Sequence, residues 1–206
     1  MDYEEIDQKI FQTAMNLSAK KGWRNFTLIE AGKLANIPLE TVRERFPCKA
    51  ALLFYLNRIA DQSALHEDNQ QQQVSEYLFD SLMRRFDCFQ LYREGIISVL
   101  RILPFDPPLA FALSLASQNS MRWIANAAGI NTLGVRGIIC IKGLAAIWAY
   151  SLKHWMKDQS ADLSATMAAL DKSIKKAGNI APYVVGKSCK NPSENDHSSE
   201  VLSVNS

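Results

Sequence analysis

At 206 residues the chain is long enough for one large domain or for a small one joined to a medium one, and its 48% apolar content is enough to build a core. Lysine plus arginine number 23 against 21 aspartate plus glutamate. That balance excludes a globally basic nucleic-acid binder and confines any basic surface to a local patch. Cys48, Cys88, Cys140 and Cys189 form no CxxC, and His66, His154 and His197 form no HxxH or HExxH, so no metal or other cofactor is expected.

Taken in chain order, Ile6, Ile10, Ala14 and Leu17 lie at helical spacing and predict a first helix over Tyr3 to Lys21. Gly22 stands where a helix stops in left-handed backbone, and Trp23 is expected to pack back on the helix end. Thr27 with Glu30 reads as a capping box for a second helix over Leu28 to Ala35. Asn36 tolerates left-handed backbone. A third helix is expected over Leu39 to Phe46, broken by Pro47. A fourth should begin near Lys49 and carry Leu52, Leu53, Leu56, Ile59 and Ala60 inward. Two short helices joined by a tight turn are equally a helix-turn-helix or an ordinary helical hairpin.

The glutamine-rich run Glu67 to Gln73 reads as a loop or an exposed helix start. Tyr77, Leu78, Leu82, Met83, Phe86 and Phe89 then mark one amphipathic helix, and Ile96, Ile97, Leu100 and Leu103 another. A long helix follows from Pro108 to about Ala128, then one from about Leu133 to Met156. The most apolar stretch, Gly137 to Leu152, is 16 residues long and contains Lys142. It falls short of the roughly 20 residues of a membrane span and reads as a buried core helix, with no stable membrane insertion. A last helix, Asp162 to Lys176, carries the stripe Leu163, Met167, Leu170 and Ile174 and ends at Gly178. Residues 186–206 lack apolar periodicity and read as disordered.

The chain begins with an acidic, amphipathic segment rather than a basic start and an apolar run, so the expectation is a cytoplasmic protein with reduced thiols. There is no phosphate-cradling glycine loop and no G-x-S-x-G. Asp80, Asp87 and Asp106 belong to no recognisable catalytic motif, so no enzyme is expected.

The segment TLIEAGKLANIPLETVRERFPCKAALL, Thr27 to Leu53, resembles the helix-turn-helix of the TetR family of transcriptional regulators. Thr27, Ala35, Ile37, Thr41, Val42, Phe46, Lys49, Leu52 and Leu53 fit its pattern without a gap, and Ala14, Leu17, Gly22 and Trp23 fit its first helix. Asn36 replaces the turn glycine, Pro38 a serine and Glu40 a small residue. Arg43 and Arg45 replace an aromatic and a histidine. Residues 20–49 carry seven basic side chains against three acidic. The resemblance implies an all-α, TetR-like protein with an N-terminal three-helix, helix-turn-helix head (1–48), a larger helical-bundle body for ligand binding and dimerisation (49–180) and a disordered tail (181–206). It implies double-stranded DNA as partner, met by Thr27, Glu40, Thr41, Arg43, Arg45 and Lys49. It also implies a homodimer through the last two body helices, from the Gly143 to Ala149 face and the Leu163 to Ile174 stripe. An apolar small-molecule effector of unknown identity would lie in the body against Phe86, Phe89, Phe111, Leu115, Trp123 and Trp148, with Gln118, Asn119 and Arg122 as polar anchors. A second resemblance is to TetR-fold proteins that lost DNA binding and hold lipid intermediates of ubiquinone biosynthesis. It rests on Gly22-Trp23, on the altered head and on the order of the body helices.

Overall fold

The computed structural model describes residues 2–66, 73–160 and 162–185, with side chains as far as residue 178. Among the described residues there are nine α-helices and no strand. In order they are α1 (Tyr3–Lys21), α2 (Leu28–Leu34), α3 (Leu39–Arg45), α4 (Lys49–Ala64), α5 (Val74–Gln90), α6 (Arg93–Ile102), α7 (Pro107–Ala127), α8 (Gly134–Trp155) and α9 (Ser164–Val185). This is the all-α architecture expected, and the limits read from the sequence for α1, α2, α3, α7 and α8 hold to within one residue.

Local chemistry accounts for the head. Asp2 accepts from the Tyr3 N–H at 2.7 Å, and Glu5 completes a capping box that opens α1. Gly22 ends α1 at φ +86, a backbone that a side chain would strain. Asn36 sits at φ +53 in the turn before α3, as its side-chain type allows. The Thr27 hydroxyl accepts from the Glu30 N–H at 3.1 Å. Only that half of the expected capping box forms, because the Glu30 carboxylate turns to Lys21. Thr27→Ala is therefore expected to cost about 1 kcal/mol in chemical unfolding.

α1 lies against α2 and α6, α4 against α5 and α7, and α8 against α7 and α9. The core runs through both parts, from Phe11, Phe26 and Val42 to Phe86, Met121, Ile124 and Trp155. Gly95 brings α6 close to α1: a Cβ there would stand 2.6 Å from the Met15 carbonyl oxygen. The Ser18 hydroxyl donates to the Gly95 carbonyl at 3.0 Å, and the Trp23 N–H donates to Ser98 Oγ at 2.8 Å. Head and body thus meet along α6.

Three expectations for the last helices are corrected. α9 starts at Ser164 and runs through Gly178 to Val185, so residues 181–185 are helix rather than tail. The expected disorder of 186–206 lies outside the described residues. Of the stripe, Leu163, Leu170 and Ile174 are buried in the chain's own core, where α9 packs on α5 and α8, and so are not available to a second chain, while Met167 is half-buried. α8 is not a buried core helix all round. Ile141, Leu144, Trp148 and Trp155 face in, while Val135, Ile138, Ile139 and Tyr150 are exposed. By length and composition it is the one described helix that could cross a membrane by itself. The α8–α9 link is held by Asp158, whose carboxylate accepts from the Ser160 and Thr166 backbone N–H groups at 3.0 and 2.8 Å and from both hydroxyls. Burial opposes its charge, but these bonds prevail and hold the pKa down at about 2. The resulting stability is present above the unfolded value near pH ~4 and is lost as pH falls toward 2. Asp158→Asn is expected to flatten the loss of stability over that window, read as urea midpoints at stepped pH.

Candidate functional site

Two regions carry unusual polar chemistry, the outer face of the head and a cavity in the body.

On the head, Glu40, Arg43 and Glu44 of α3 are exposed and Thr41 is half-buried. Arg43 Nη1 donates back to the Pro47 carbonyl at 2.5 Å. Arg45 is drawn the other way, to α1, where Nε donates to Asp7 Oδ1 at 2.6 Å and Nη2 to Oδ2. Asp7 is buried, so this two-pronged pair fixes α3 on α1. Lys49, at the start of α4, donates to the carbonyls of Trp23 and Phe26 at 2.7 and 3.1 Å and stands over both rings. Burial pushes its ammonium down from the usual lysine range. Two of its three donors thus hold the turn after α1. Arg43, Arg45 and Lys49, expected to meet DNA, each have an internal partner as well. The sequence did not show this, because Asp7 and the two carbonyls lie far away in the chain. Lys49→Ala is expected to lower stability by about 1–2 kcal/mol through those bonds, measured by urea unfolding.

In the body, a cavity of about 480 Å³ lies among α4, α5, α6, α7 and α8. That is in the ordinary range for small-molecule sites, about 300–1,000 Å³. Its walls are Leu53, Leu56, Phe89, Ile96, Val99, Leu103, Leu113 and Trp148. Lys142, Ala146 and Ala149, also in the lining, are exposed, which puts the mouth along α8.

The polar part of the lining is Arg85 and Asn57, joined by Ser114, Ser117 and Gln118. Arg85 is 1% exposed. It pairs with Asp61, donates from Nη2 to Asn57 Oδ1 at 3.0 Å and lies 4.9 Å from the centre of the Trp148 ring. Asp61 also accepts from the Ser120 hydroxyl at 2.8 Å and from Asn57 Nδ2 at 3.2 Å. Four helices are tied together here. Desolvation lowers the Arg85 pKa to about 10.

Of the nine side chains expected at an effector site, Phe89, Gln118 and Trp148 line this cavity, and Asn119 is exposed outside it. Phe86 is fully buried behind it, tilted on Trp148 at 4.5 Å and stacked on Trp155. Phe111 and Trp123, 67% and 60% exposed, point outward, as do Leu115 and Arg122. The inward face of α7 is instead Leu113, Ser117, Ser120, Met121 and Ile124, which displaces the larger side chains to the surface. Leu115, Gln118 and Arg122 share a separate shallow cleft with Ile138, Ile141 and Lys142. A further groove of about 600 Å³ between α5, α7, α8 and α9 is walled by Leu78, Ile130, Ile139, Leu144 and Ile174 and holds no buried charge.

No protein-family model and no curated protein matches the sequence. Solved structures do match the fold. A TetR transcriptional regulator from Nitrosomonas europaea superposes with a TM-score of 0.71 at 19% identity, over 84% of this chain and 98% of that one. A TetR-family regulator from Streptomyces coelicolor gives 0.57 at 17% identity, over 89% and 85%. Thermus thermophilus FadR, a TetR-family repressor solved in complex with lauroyl-CoA, gives 0.52 at 15% identity, over 92% and 100%. With the helix-turn-helix of α2 and α3 and the helical body behind it, the chain has the fold of the TetR-family transcriptional regulators.

Proposed function

We propose that the chain is a ligand-responsive DNA-binding regulator. The observation that carries this reading is the placement of α6. One face of α6, through Ile96, Val99 and Leu100, lines the cavity. The other face, through Gly95 and Ser98, is locked to α1 and the turn after it. A molecule that changes the packing of α6 therefore acts directly on the seat of the helix-turn-helix, which is a two-site coupling with a physical route. The lauroyl-CoA held by the FadR neighbour supports placing a small molecule in such a body. α3 would enter the major groove, Thr27, Glu40, Thr41 and Arg43 would face the duplex, and the remaining donor of Lys49 would meet a phosphate. The test is a salt-dependent titration against DNA flanking the protein's own coding sequence. Binding should weaken linearly in log salt, Lys49→Ala should reduce the slope by about one, and Thr41→Ala should weaken the preferred sequence more than random DNA.

Dimerisation is expected through the exposed face of α8, where Val135, Ile138 and Ile139 stand beside Gly143, Ala146 and Ala149. Ile139→Asp should give a folded monomer in sedimentation. A wild-type monomer at tens of micromolar, roughly where an obligate dimer persists, would count against it.

One observation favours a second reading. Arg43, Arg45 and Lys49 bond internally while Glu40 and Glu44 face outward, an arrangement that weakens attraction to phosphates. A lipid-binding protein of the same fold, without DNA activity, fits that head. Protein that binds no genomic fragment at low salt, yet copurifies with an apolar lipid, would select it.

A further inference from the structure

The shallow cleft between α7 and α8 is distinct from the body cavity but shares two of its lining residues, Gln118 and Lys142. It therefore adjoins the mouth of the cavity. The two spaces differ in chemistry. Leu53, Leu56, Phe89, Val99, Leu103 and Trp148 make the cavity largely apolar. Its buried charge, Arg85, is already paired with Asp61. The cleft, of about 230 Å³, carries two cations, Arg122 and Lys142, both exposed. Unlike Arg85, neither has an ion-pair or hydrogen-bond partner among the described residues. α7 and α8 offer none, since residues 107–157 hold Arg122, Arg136, Lys142, Lys153 and Lys157 but no aspartate or glutamate. A cleft with charges of one sign and low-dielectric walls concentrates counter-ions.

Burial decides which end of a guest goes where. An acid group drawn into the apolar cavity would lose its water with no free cation to meet it, which costs heavily. Held at the cleft, it keeps its water and gains both cations. A hydrocarbon chain gains by the opposite placement, roughly fourfold in affinity per buried methylene. We infer that cavity and cleft together bind an amphiphile, an apolar chain ending in a single acid group, with the chain in the cavity and the anion against Arg122 and Lys142. This names the ligand class of the body site and rests on the reading of the body as a ligand site. Carboxylate and phosphate ends share this chemistry.

The test uses the full chain at low salt with four probes that carry a ten-carbon chain, each below its micelle concentration: decanoate, decyl phosphate, decanol and decyltrimethylammonium. Binding is read by calorimetry and by Trp148 fluorescence, with Trp148→Phe assigning the signal. At least one anion should bind about threefold to tenfold more tightly than decanol, the gain from two exposed pairs, and decyltrimethylammonium should bind most weakly. Either anion in the lead supports the inference and identifies its acid group. Octanoate and hexanoate should bind more weakly than decanoate, by roughly threefold per methylene removed; affinity independent of chain length overturns the inference. Arg122→Gln with Lys142→Gln changes only exposed side chains, so the fold should persist. That double variant should hold decanol as before and lose the preference for the anion. If it fails to fold, the wild type in about 0.5 M salt decides instead: the preference should fall to about twofold or less as the pairs are screened, and a preference that salt leaves unchanged overturns the inference. Decanol bound as tightly as both anions, or a preference that survives the double change, overturns it and leaves the ligand-binding reading standing. Failure of every probe on folded protein removes both.

Discussion

Asp61→Ala is expected to lower the unfolding free energy by about 3–5 kcal/mol, the range seen when one partner of a buried ion pair is removed. The size follows from burial. Arg85 is 1% exposed and would keep only Asn57 as an acceptor. Ser120 and Asn57 would lose the carboxylate that both donate to, so the loss spreads over α4, α5 and α7. The measurement is urea denaturation of wild type, Asp61→Ala, Arg85→Met and the paired apolar variant, Asp61→Leu with Arg85→Met. The midpoint should fall most for Asp61→Ala and less for Arg85→Met, because Asp61 is partly exposed and retains two donors. The paired variant should recover most of the loss, with slopes unchanged. Additive effects of the two single changes would mean that the residues do not act as a unit.

Much of the head was legible because its signals are local. Gly22 and Asn36 take the left-handed backbone that their types allow, and Thr27 caps the helix that follows it. The body was legible as helices, since Leu78, Leu82 and Phe89 repeat at helical spacing. What they pack against was not. The Leu163, Leu170 and Ile174 stripe shows that one face of α9 is buried; periodicity alone does not say whether the cover is the same chain or another. Likewise the spacing of Phe111, Leu115 and Trp123 does not say which face of α7 turns inward, and the face of Ser120, Met121 and Ile124 is the buried one. The cavity floor was missed altogether. Its members come from α4, α5 and α7, and no sequence rule joins them. One clue was present: Arg85 falls between Leu82 and Phe89 on the apolar stripe of α5, where a charge requires a buried partner.

Gly95→Leu is expected to weaken the joint between head and body, with a stability loss of about 3 kcal/mol or more once overpacking and a lost buried hydrogen bond are combined. The glycine is helical, so its backbone freedom is not the issue; space is. A Cβ would meet the Met15 carbonyl oxygen at 2.6 Å and its Cα and carbonyl carbon at 3.2 Å. These are backbone atoms inside α1, which cannot move aside as a side-chain tip can. α1 and α6 must separate, and the Ser18 hydroxyl then loses the Gly95 carbonyl. Ser98 and Trp23, one turn along, come apart with them. The cavity-lining residues of α6, Ile96, Val99 and Leu100, are not the two that bond α1 and the turn after it, so the body should stay folded while the head frays. Hydrogen exchange is the discriminating measurement. Amides of α1 to α3 should exchange faster in Gly95→Leu, while those of α5 and α7 stay protected. In the wild type, an apolar molecule held in the cavity should change the exchange of α1 amides, and in the variant that response should vanish. A ligand response in α1 that survives Gly95→Leu would mean the cavity reaches the head through α4 rather than α6.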